Sequence, residues 1–233
     1  MSTQQTCSQI LAAAGKVFAE KGFKEATVRE ICHQAGVNLA AVNYHFGDKE
    51  RLYIAAVKHA RRLLAEGIPM PIWPEGTRPE LMLREFVSTM VRRLLRQDAA
   101  PWQVRLLSRE LMEPTRACEE MVQESFQPVF DQLLRIVAQL APPETTTQQL
   151  RWIGFSVIAQ CVYYRVHDRF VRLLVPQDEI DSCLDMEGLA RHITEYTLSA
   201  LGRAGRADPD VLRRGAVTTT AASLGISTRK VEH

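Results

Sequence analysis

The sequence has few of the features that indicate a disulfide-stabilised, membrane-spanning or metal-binding protein. Its five cysteines are odd in number, widely spaced and free of any Cys-x-x-Cys pair, so we expect neither a disulfide framework nor a zinc site. No apolar run approaches the roughly 20 residues that cross a bilayer, and none follows a basic N-terminus. These absences predict an unexported protein of the reducing cytoplasm, without a membrane partner.

The motifs of common enzyme classes are also missing. The chain contains no glycine-rich phosphate loop, no His-Glu-x-x-His pair and no Gly-x-Ser-x-Gly elbow. Five residues of the C-terminal half are of types that can catalyse reactions, but their spacing does not organise them: Glu110, Cys118, Cys161, His167 and Asp168. Neighbouring His167 and Asp168 would point in different directions on a helix. We therefore predict no catalysis, no cofactor and no metal.

The charge is nearly balanced, which excludes a strongly basic, histone-like protein. The formal net charge is +2 over 233 residues, while residues 1–66 contain nine Lys or Arg and six Asp or Glu. Any binding of nucleic acid must therefore come from a local patch, and the N-terminal segment is the one that leans positive.

Apolar residues recur at three- and four-residue intervals along almost the whole chain, and no stretch alternates as a half-buried strand does. This pattern predicts an all-α protein. We place an N-terminal domain at 1–66, a proline-rich connection at 67–78, and a C-terminal helical bundle at 79–202. The bundle helices are expected at about 79–96, 100–113, 116–141, 146–174 and 186–202. Residues 203–233 are rich in Gly and Thr, so we expect a poorly ordered tail.

The first 66 residues have the pattern of a three-helix helix-turn-helix domain followed by a longer helix. A first helix should stop at Lys21-Gly22, and Thr27 with Glu30 forms a capping-box pattern for the second. A break at 35–37 (AGV) precedes a short helix that starts at Asn38, and Asp48 caps a fourth helix. A short second helix after a tight turn is the arrangement that enters the DNA major groove.

The segments that carry this pattern are FAEKGF at 18–23, TVREI at 27–31, AGV at 35–37 and YHFGDKERL at 44–52. They resemble the DNA-binding domain of TetR-family regulators. The resemblance implies a sequence-specific transcriptional regulator that binds double-stranded operator DNA. In such proteins an aromatic residue and a histidine commonly close the recognition helix against the DNA backbone, as Tyr44 and His45 would here.

Physical chemistry assigns further roles within this domain. The candidates for reading bases are Asn38, Leu39, Ala40, Ala41 and Asn43, with Arg29 from the preceding helix, because Asn pairs with adenine and apolar groups contact thymine methyls. Thr27 either holds a phosphate at a helix N-terminus or only caps the helix. Lys49 lies in the first turn of the fourth helix, where the dipole disfavours a cation, so a phosphate neighbour would explain its position better than solvent.

The C-terminal half has a looser resemblance to the CecR-like subgroup of the same family, through RELMEPT at 109–115, QPV at 127–129 and QCVYY at 160–164. The resemblance implies a domain that binds a small molecule and dimerises. Our candidate pocket residues are Trp102, Arg105, Arg109, Trp152, Phe155, Tyr163, Tyr164 and His167. Aromatic residues at helical spacing also fit a plain core, and Arg105 and Arg109 also fit pairing with neighbouring glutamates.

We expect a homodimer formed by the helices at about 148–174 and 186–201. Their apolar stripes are predicted as Ile153, Val157 and Tyr164, and Leu189, Ile193, Tyr196 and Leu201. The functional prediction is a repressor that an unidentified small molecule releases from its operator. The alternatives are an activator of transcription, an architectural DNA-binding protein without a ligand, an enzyme, and a thiol sensor at Cys118 or Cys161.

Overall fold

The computed structural model describes residues 3–96 and 99–202, and all regular structure within these ranges is helical, which confirms the all-α prediction. The helices are α1 (Thr3–Glu25), α2 (Val28–Ala35), α3 (Leu39–Phe46), α4 (Lys49–Ala65), α5 (Pro79–Leu95), α6 (Pro101–Met112), α7 (Arg116–Met121), α8 (Gln127–Leu140), α9 (Thr147–Val166), α10 (Asp168–Leu174), α11 (Ile180–Cys183) and α12 (Met186–Ala200). The described part contains no helix long and apolar enough to cross a membrane.

Two glycines shape the N-terminal helices as the sequence predicts. Gly22 has φ 77° and ψ 174°, so it breaks the helical path near the end of α1, although one further turn follows to Glu25. Gly36 has φ 64° and ends α2 in the left-handed conformation that glycine adopts without strain. The chain therefore turns sharply at both predicted positions.

The helix expected at 116–141 is divided by a π turn, Val122–Phe126, between α7 and α8. Pro128 provides the physical reason, because it cannot donate to the Glu124 carbonyl and its ring would crowd that oxygen in an α-helix. The wider turn instead lets the Gln127 N–H donate to the Val122 carbonyl. The expected helix at 146–174 is likewise divided at His167, where α9 ends and α10 begins.

The helices enclose two hydrophobic cores. The first contains the buried faces of α1–α4 together with Leu106 of α6 and Ala117 and Met121 of α7. The second contains the buried faces of α5, α8, α9 and α12. The proline-rich connection at 67–78 separates α4 from α5 along the chain, but α6 and α7 share a core with the N-terminal helices. The expected tail at 203–233 lies outside the described residues.

Candidate nucleic-acid interface

The turn between α2 and α3 is fixed by backbone hydrogen bonds and side-chain caps. The Gly36 N–H donates to the Cys32 and His33 carbonyls, and the Val37 N–H donates to the Cys32 carbonyl at 3.0 Å. Asn38 then caps α3, because its Oδ1 accepts from the Ala41 N–H at 2.8 Å. These contacts satisfy several of the polar groups where α2 ends and α3 begins, and they hold the two helices in their relative orientation.

One face of α3 is open to solvent and the opposite face is packed. Tyr44 is 84% exposed and Leu39 is 45% exposed, whereas Val42 is buried in the first core. Of the other candidates for DNA contact, Arg29, Asn38, Ala40 and Asn43 are exposed, while Ala41 and His45 are half-buried. The open face thus presents Leu39, Ala40, Asn43 and Tyr44, which we call the reading face. The side-chain oxygen of Asn38 already accepts from the Ala41 N–H, while its amide N–H groups are free of the cap and can contact DNA.

Thr27 caps α2 as the capping-box pattern predicts. Its hydroxyl accepts from the Glu30 N–H at 3.3 Å and donates to Glu30 Oε2 at 3.0 Å, and its own N–H donates to the same oxygen at 3.1 Å. Lys21 also donates to Glu30, and these hydrogen bonds lower the pKa of Glu30 to about 2. The capping role of Thr27 is therefore observed, while its phosphate contact stays a prediction.

Lys49 has intramolecular partners that account for its position in the first turn of α4. Its Nζ donates to the Lys24 carbonyl at 3.1 Å and lies 4.9 Å from the centroid of the Phe23 ring. A cation over an aromatic face is stabilised by the ring quadrupole, which offsets the unfavourable helix dipole. Lys49 thus ties α4 to the end of α1, and its phosphate contact remains a prediction.

The eight candidate pocket residues do not come together in one cavity. Trp102 packs on α1, where its ring occupies the space that a Cβ at Gly15 would take. Arg109 donates from Nε to the Ala19 carbonyl at 3.3 Å and from Nη2 to the Glu20 carbonyl at 3.2 Å. Arg109 therefore caps α1 beside the Gly22 break. This role differs from both alternatives expected from the sequence, which were contact with a ligand and pairing with a neighbouring glutamate.

The remaining pocket candidates lie mostly on the outside of the protein. Trp152 and Phe155 are each 59% exposed on α9, and Tyr163 is exposed on the same helix. His167 stacks on Tyr163 with ring centroids 4.7 Å apart. Arg105 is exposed, and Tyr164 packs against the second core. The prediction of a pocket lined by these side chains is not supported by their positions.

The expected dimer stripes are largely buried within the protomer. Val157, Leu189, Ile193 and Leu201 belong to the second core, with Ile153 and Tyr164 partly buried against it. Of the predicted residues, Tyr196 is exposed. The error has a physical cause, because α9 is apolar on both faces and its periodicity does not show which face turns inward.

A buried polar cluster joins the N-terminal domain to α6, and no pattern in the sequence indicates it. Tyr53 of α4 donates its hydroxyl to Glu110 Oε2 at 2.6 Å. The other carboxylate oxygen of fully buried Glu110 accepts from the Thr115 N–H at 2.7 Å and the Thr115 hydroxyl at 2.9 Å. Burial, and then the hydrogen bond to Glu110, raise the pKa of Tyr53. Tyr53 and Glu110 are 57 positions apart, so no local pattern could have linked them.

The two cysteines considered as thiol sensors lie in environments that disfavour the reactive thiolate. Cys161 is buried in the second core, and burial raises its pKa to about 12. Burial also raises the pKa of Cys118, with the nearby carboxylates of Glu110 and Glu119 acting in the same direction. A reactive cysteine needs a lowered pKa, so these positions do not favour a redox sensor.

An exposed recognition helix behind a tight turn is the architecture of a large class of DNA-binding regulators. The family comparisons agree with this class. Residues 10–56 match the model described as bacterial regulatory proteins, tetR family, and residues 79–201 match the C-terminal domain of the HTH-type transcriptional dual regulator CecR. The chain therefore belongs to the TetR family of regulators and has a C-terminal domain of the CecR type.

Similar proteins cover either the whole architecture or the N-terminal domain alone. The dual regulator CecR of Shigella flexneri is 34% identical over 178 residues, which are 70% of this chain and 77% of that protein. The repressor AcnR of Corynebacterium efficiens is 38% identical over 60 residues, which are 26% of this chain and 32% of that protein.

Solved structures share the fold at lower identity. A transcriptional regulator from Rhodococcus sp. Rha1 has a TM-score of 0.55 at 18% identity, covering 84% of this chain and 95% of that one. The hemolysin II transcriptional regulator HlyIIR has a TM-score of 0.52 at 22% identity, covering 86% of this chain and 98% of that one.

Proposed function

We propose that the protein represses transcription by binding a two-fold symmetric operator as a homodimer, and that a small molecule releases it. The observation that carries the DNA-binding part is the open reading face of α3, held by caps at both ends and backed by the buried side chain of Val42. An α-helix fits the major groove of B-DNA, so this face would lie against base edges.

The side chains of the reading face suit a site with A·T base pairs. The Asn43 amide matches the donor and acceptor pattern of adenine, and Leu39 and Ala40 offer apolar contact to thymine methyls. Ala41, Asn38 and Arg29 would contribute at the edge of this surface. Tyr44, His45, Lys49 and Thr27 are assigned to the phosphate backbone, which fixes the register without reading sequence.

Exposed apolar side chains support dimerisation through the outer face of α9 and α12. Trp152, Phe155 and Tyr163 of α9 and Tyr196 of α12 are between 41% and 60% exposed. Water contact with so many large aromatic groups is unfavourable, and a second copy of the chain would remove it. A two-fold axis through this face would place two reading faces one or more DNA turns apart, in multiples of about 34 Å.

Release by a ligand needs a path from the C-terminal helices to α3. The packing supports such a path, because α6 and α7 share the first core with α1 and α4. A ligand that binds more tightly when α6 and α7 are shifted would favour a distance between the two reading faces of the dimer that does not match the operator. CecR of Shigella flexneri is described as a dual regulator, which supports activation as the alternative to repression.

DNase footprinting of purified protein on genomic fragments, at fixed salt, tests the proposal. We expect one protected two-fold symmetric site. Tyr44→Ala should weaken binding to this site at least tenfold, and Lys49→Ala should weaken binding to this site and to other DNA alike. Arg135→Ala is the charge-matched control, because Arg135 is exposed on α8. Sequence-indifferent binding that survives Tyr44→Ala would contradict the proposal. Thermal unfolding of Lys49→Ala separates loss of a phosphate contact from loss of its contacts to α1.

The dimer is tested separately by light scattering during gel filtration. Trp152→Asp should convert the protein from dimer to monomer, because a carboxylate would be buried in an apolar interface. Ile72→Asp is the matched control, since Ile72 is 95% exposed in the connection between α4 and α5. Equal mass for wild type and both variants would contradict this choice of interface.

A further inference from the structure

Several large apolar side chains at the end of α9 and in α10 are exposed, and the proposed function gives them no role. Leu173 is 76% exposed and Leu174 is 66% exposed, while Phe170 and Val166, the last residue of α9, are each more than half exposed. We call these four residues the α10 patch. A group of exposed apolar side chains marks an interaction surface, so the α10 patch needs an occupant.

The α10 patch continues the exposed apolar face of α9. Along α9, exposed side chains recur at intervals of three or four residues, which is the spacing of one helical face. They are Trp152, Phe155, Ala159, Tyr163 and Val166, and Phe170 follows four residues later. The α10 patch therefore adjoins the face that we propose as the dimer interface.

Without the α10 patch, the exposed apolar area on α9 and α12 is small for a dimer. A fully covered aromatic side chain buries about 150–250 Å², so the exposed parts of the four aromatic residues on this face amount to about 400 Å². A permanent homodimer buries at least about 1,000 Å² on each partner, of which about 65% is apolar. The α10 patch adds about 300 Å², which brings the total to about the 650 Å² required.

A cavity at the other end of α9 offers a place for these side chains. It has a volume of about 300 Å³ and lies between the start of α9 and the end of α12. Trp152 belongs both to its wall and to the exposed face of α9, so the cavity borders that face. Among its lining residues are Pro142, Thr145, Gln149, Trp152, Ala200 and Leu201.

Two-fold symmetry brings the cavity and the α10 patch together. Ala159 is the small side chain of the exposed face of α9, and two helices approach most closely where the side chains between them are small. If two antiparallel copies of α9 cross at Ala159, positions at equal distances before and after it meet. Leu173 comes 14 positions after Ala159 and Thr145 comes 14 positions before it, so each lies about 20 Å from the crossing.

We propose that the α10 patch of each subunit occupies this cavity on the partner subunit, so that two reciprocal contacts close the dimer. This inference rests on the proposed homodimer and adds to its interface a short helix outside the two long ones. Because each contact is made twice in a two-fold interface, both ends of the exposed face of α9 are covered.

Sedimentation equilibrium of the full-length protein measures what the α10 patch contributes to dimerisation. Leu173→Asp should weaken the dimer at least about tenfold, because the substitution removes an apolar contact and places a carboxylate in the cavity. Ile72→Asp is the matched control, since Ile72 is equally exposed to solvent but lies outside the α10 patch. Circular dichroism shows whether each variant keeps the fold.

An equal dissociation constant for Leu173→Asp and the wild type would overturn the inference. If Trp152→Asp still separates the subunits in that case, the proposed dimer stands and the α10 contact alone is lost. A wild-type protein that is monomeric throughout would contradict the proposed dimer itself, and this inference with it.

Cross-linking tests where the α10 patch binds. Positions 145 and 173 lie at opposite ends of α9, whose 20 residues span about 30 Å, so a short bismaleimide cannot join them within one chain. The double variant Thr145→Cys, Leu173→Cys should form a covalent dimer, whereas each single variant should give only the background of the native cysteines. Absence of this covalent dimer from a preparation that is dimeric by sedimentation would overturn the inference. Equal shielding of Thr145→Cys from a maleimide with and without Leu173→Asp would show that another segment fills the cavity, which also overturns it.

Discussion

The hydrogen bond from Tyr53 to Glu110 joins α4 to α6, and Tyr53→Phe removes it with little change in shape. Glu110 is fully buried and Tyr53 is nearly so, so the lost donor cannot be replaced by bulk water. A hydrogen bond to a charged group contributes about 1.5–3 kcal/mol, and the substitution leaves one carboxylate oxygen without this partner. We therefore expect a loss of about 2 kcal/mol in the free energy of unfolding.

Thermal unfolding followed by circular dichroism measures this loss at a fixed protein concentration, since the proposed dimerisation would make the midpoint concentration-dependent. A destabilisation of about 2 kcal/mol corresponds to a fall of about 4–8 °C in Tm for a protein of this size. Tyr44→Phe is the matched control, because that hydroxyl is on an 84% exposed side chain. Equal midpoints for the two variants would refute the importance of the buried bond.

Three further predictions concern the packing of α6 on α1, a buried histidine and a buried thiol. Gly15→Ala should lower Tm by several degrees, because the new Cβ overlaps the Trp102 ring. In Gly67→Ala the new Cβ meets no neighbour within 4 Å, so any loss there comes from the positive φ alone. Similar Tm values for Gly15→Ala and the wild type would contradict the close packing of α6 on α1. Burial and the charge of Arg62 lower the pKa of His59 in the fold, so the unfolded chain binds more protons below about pH 6.5 and stability should fall as the pH drops toward 5. Urea titrations should show that the free energy of unfolding depends less on pH in His59→Asn than in the wild type, while the exposed control His33→Asn keeps the wild-type dependence. The same pH dependence in His59→Asn and the wild type would contradict this role of His59. Cys161, with its pKa raised to about 12, should react with a thiol reagent at pH 8 far more slowly than a free thiol, and rapid labelling of the native protein would restore the thiol-sensor alternative.

The N-terminal domain could be predicted closely because its signals are local. Caps at Thr27, Asn38 and Asp48 and the turn at Gly36 act over three or four residues, and each lies where the sequence places it. The roles of these residues toward DNA depend on a partner outside the chain and therefore stay predictions.

The C-terminal helical segments could be predicted in approximate position, but not the breaks that divide two of them, the short helix α11, or the orientation of their faces. Trp152, Phe155 and Val157 are all apolar, and only the packed structure shows that Val157 faces inward while the two aromatic residues face outward. The same limit applies to Arg109, which caps α1 some 90 positions earlier, and to Glu110, which is paired with Tyr53. Long-range partners of this kind leave no periodic trace in a single sequence.

The ratio of affinities for the footprinted operator and a scrambled sequence of equal length, measured at one salt concentration, tests the central claim most directly. Specific regulators bind their sites about 10³-fold or more tightly than other DNA, and we expect a ratio of this order for the wild type. Asn43→Ala on the reading face should reduce the ratio by about tenfold while leaving binding to the scrambled sequence unchanged. A wild-type ratio close to one, or a ratio that Asn43→Ala does not alter, would contradict sequence reading by α3.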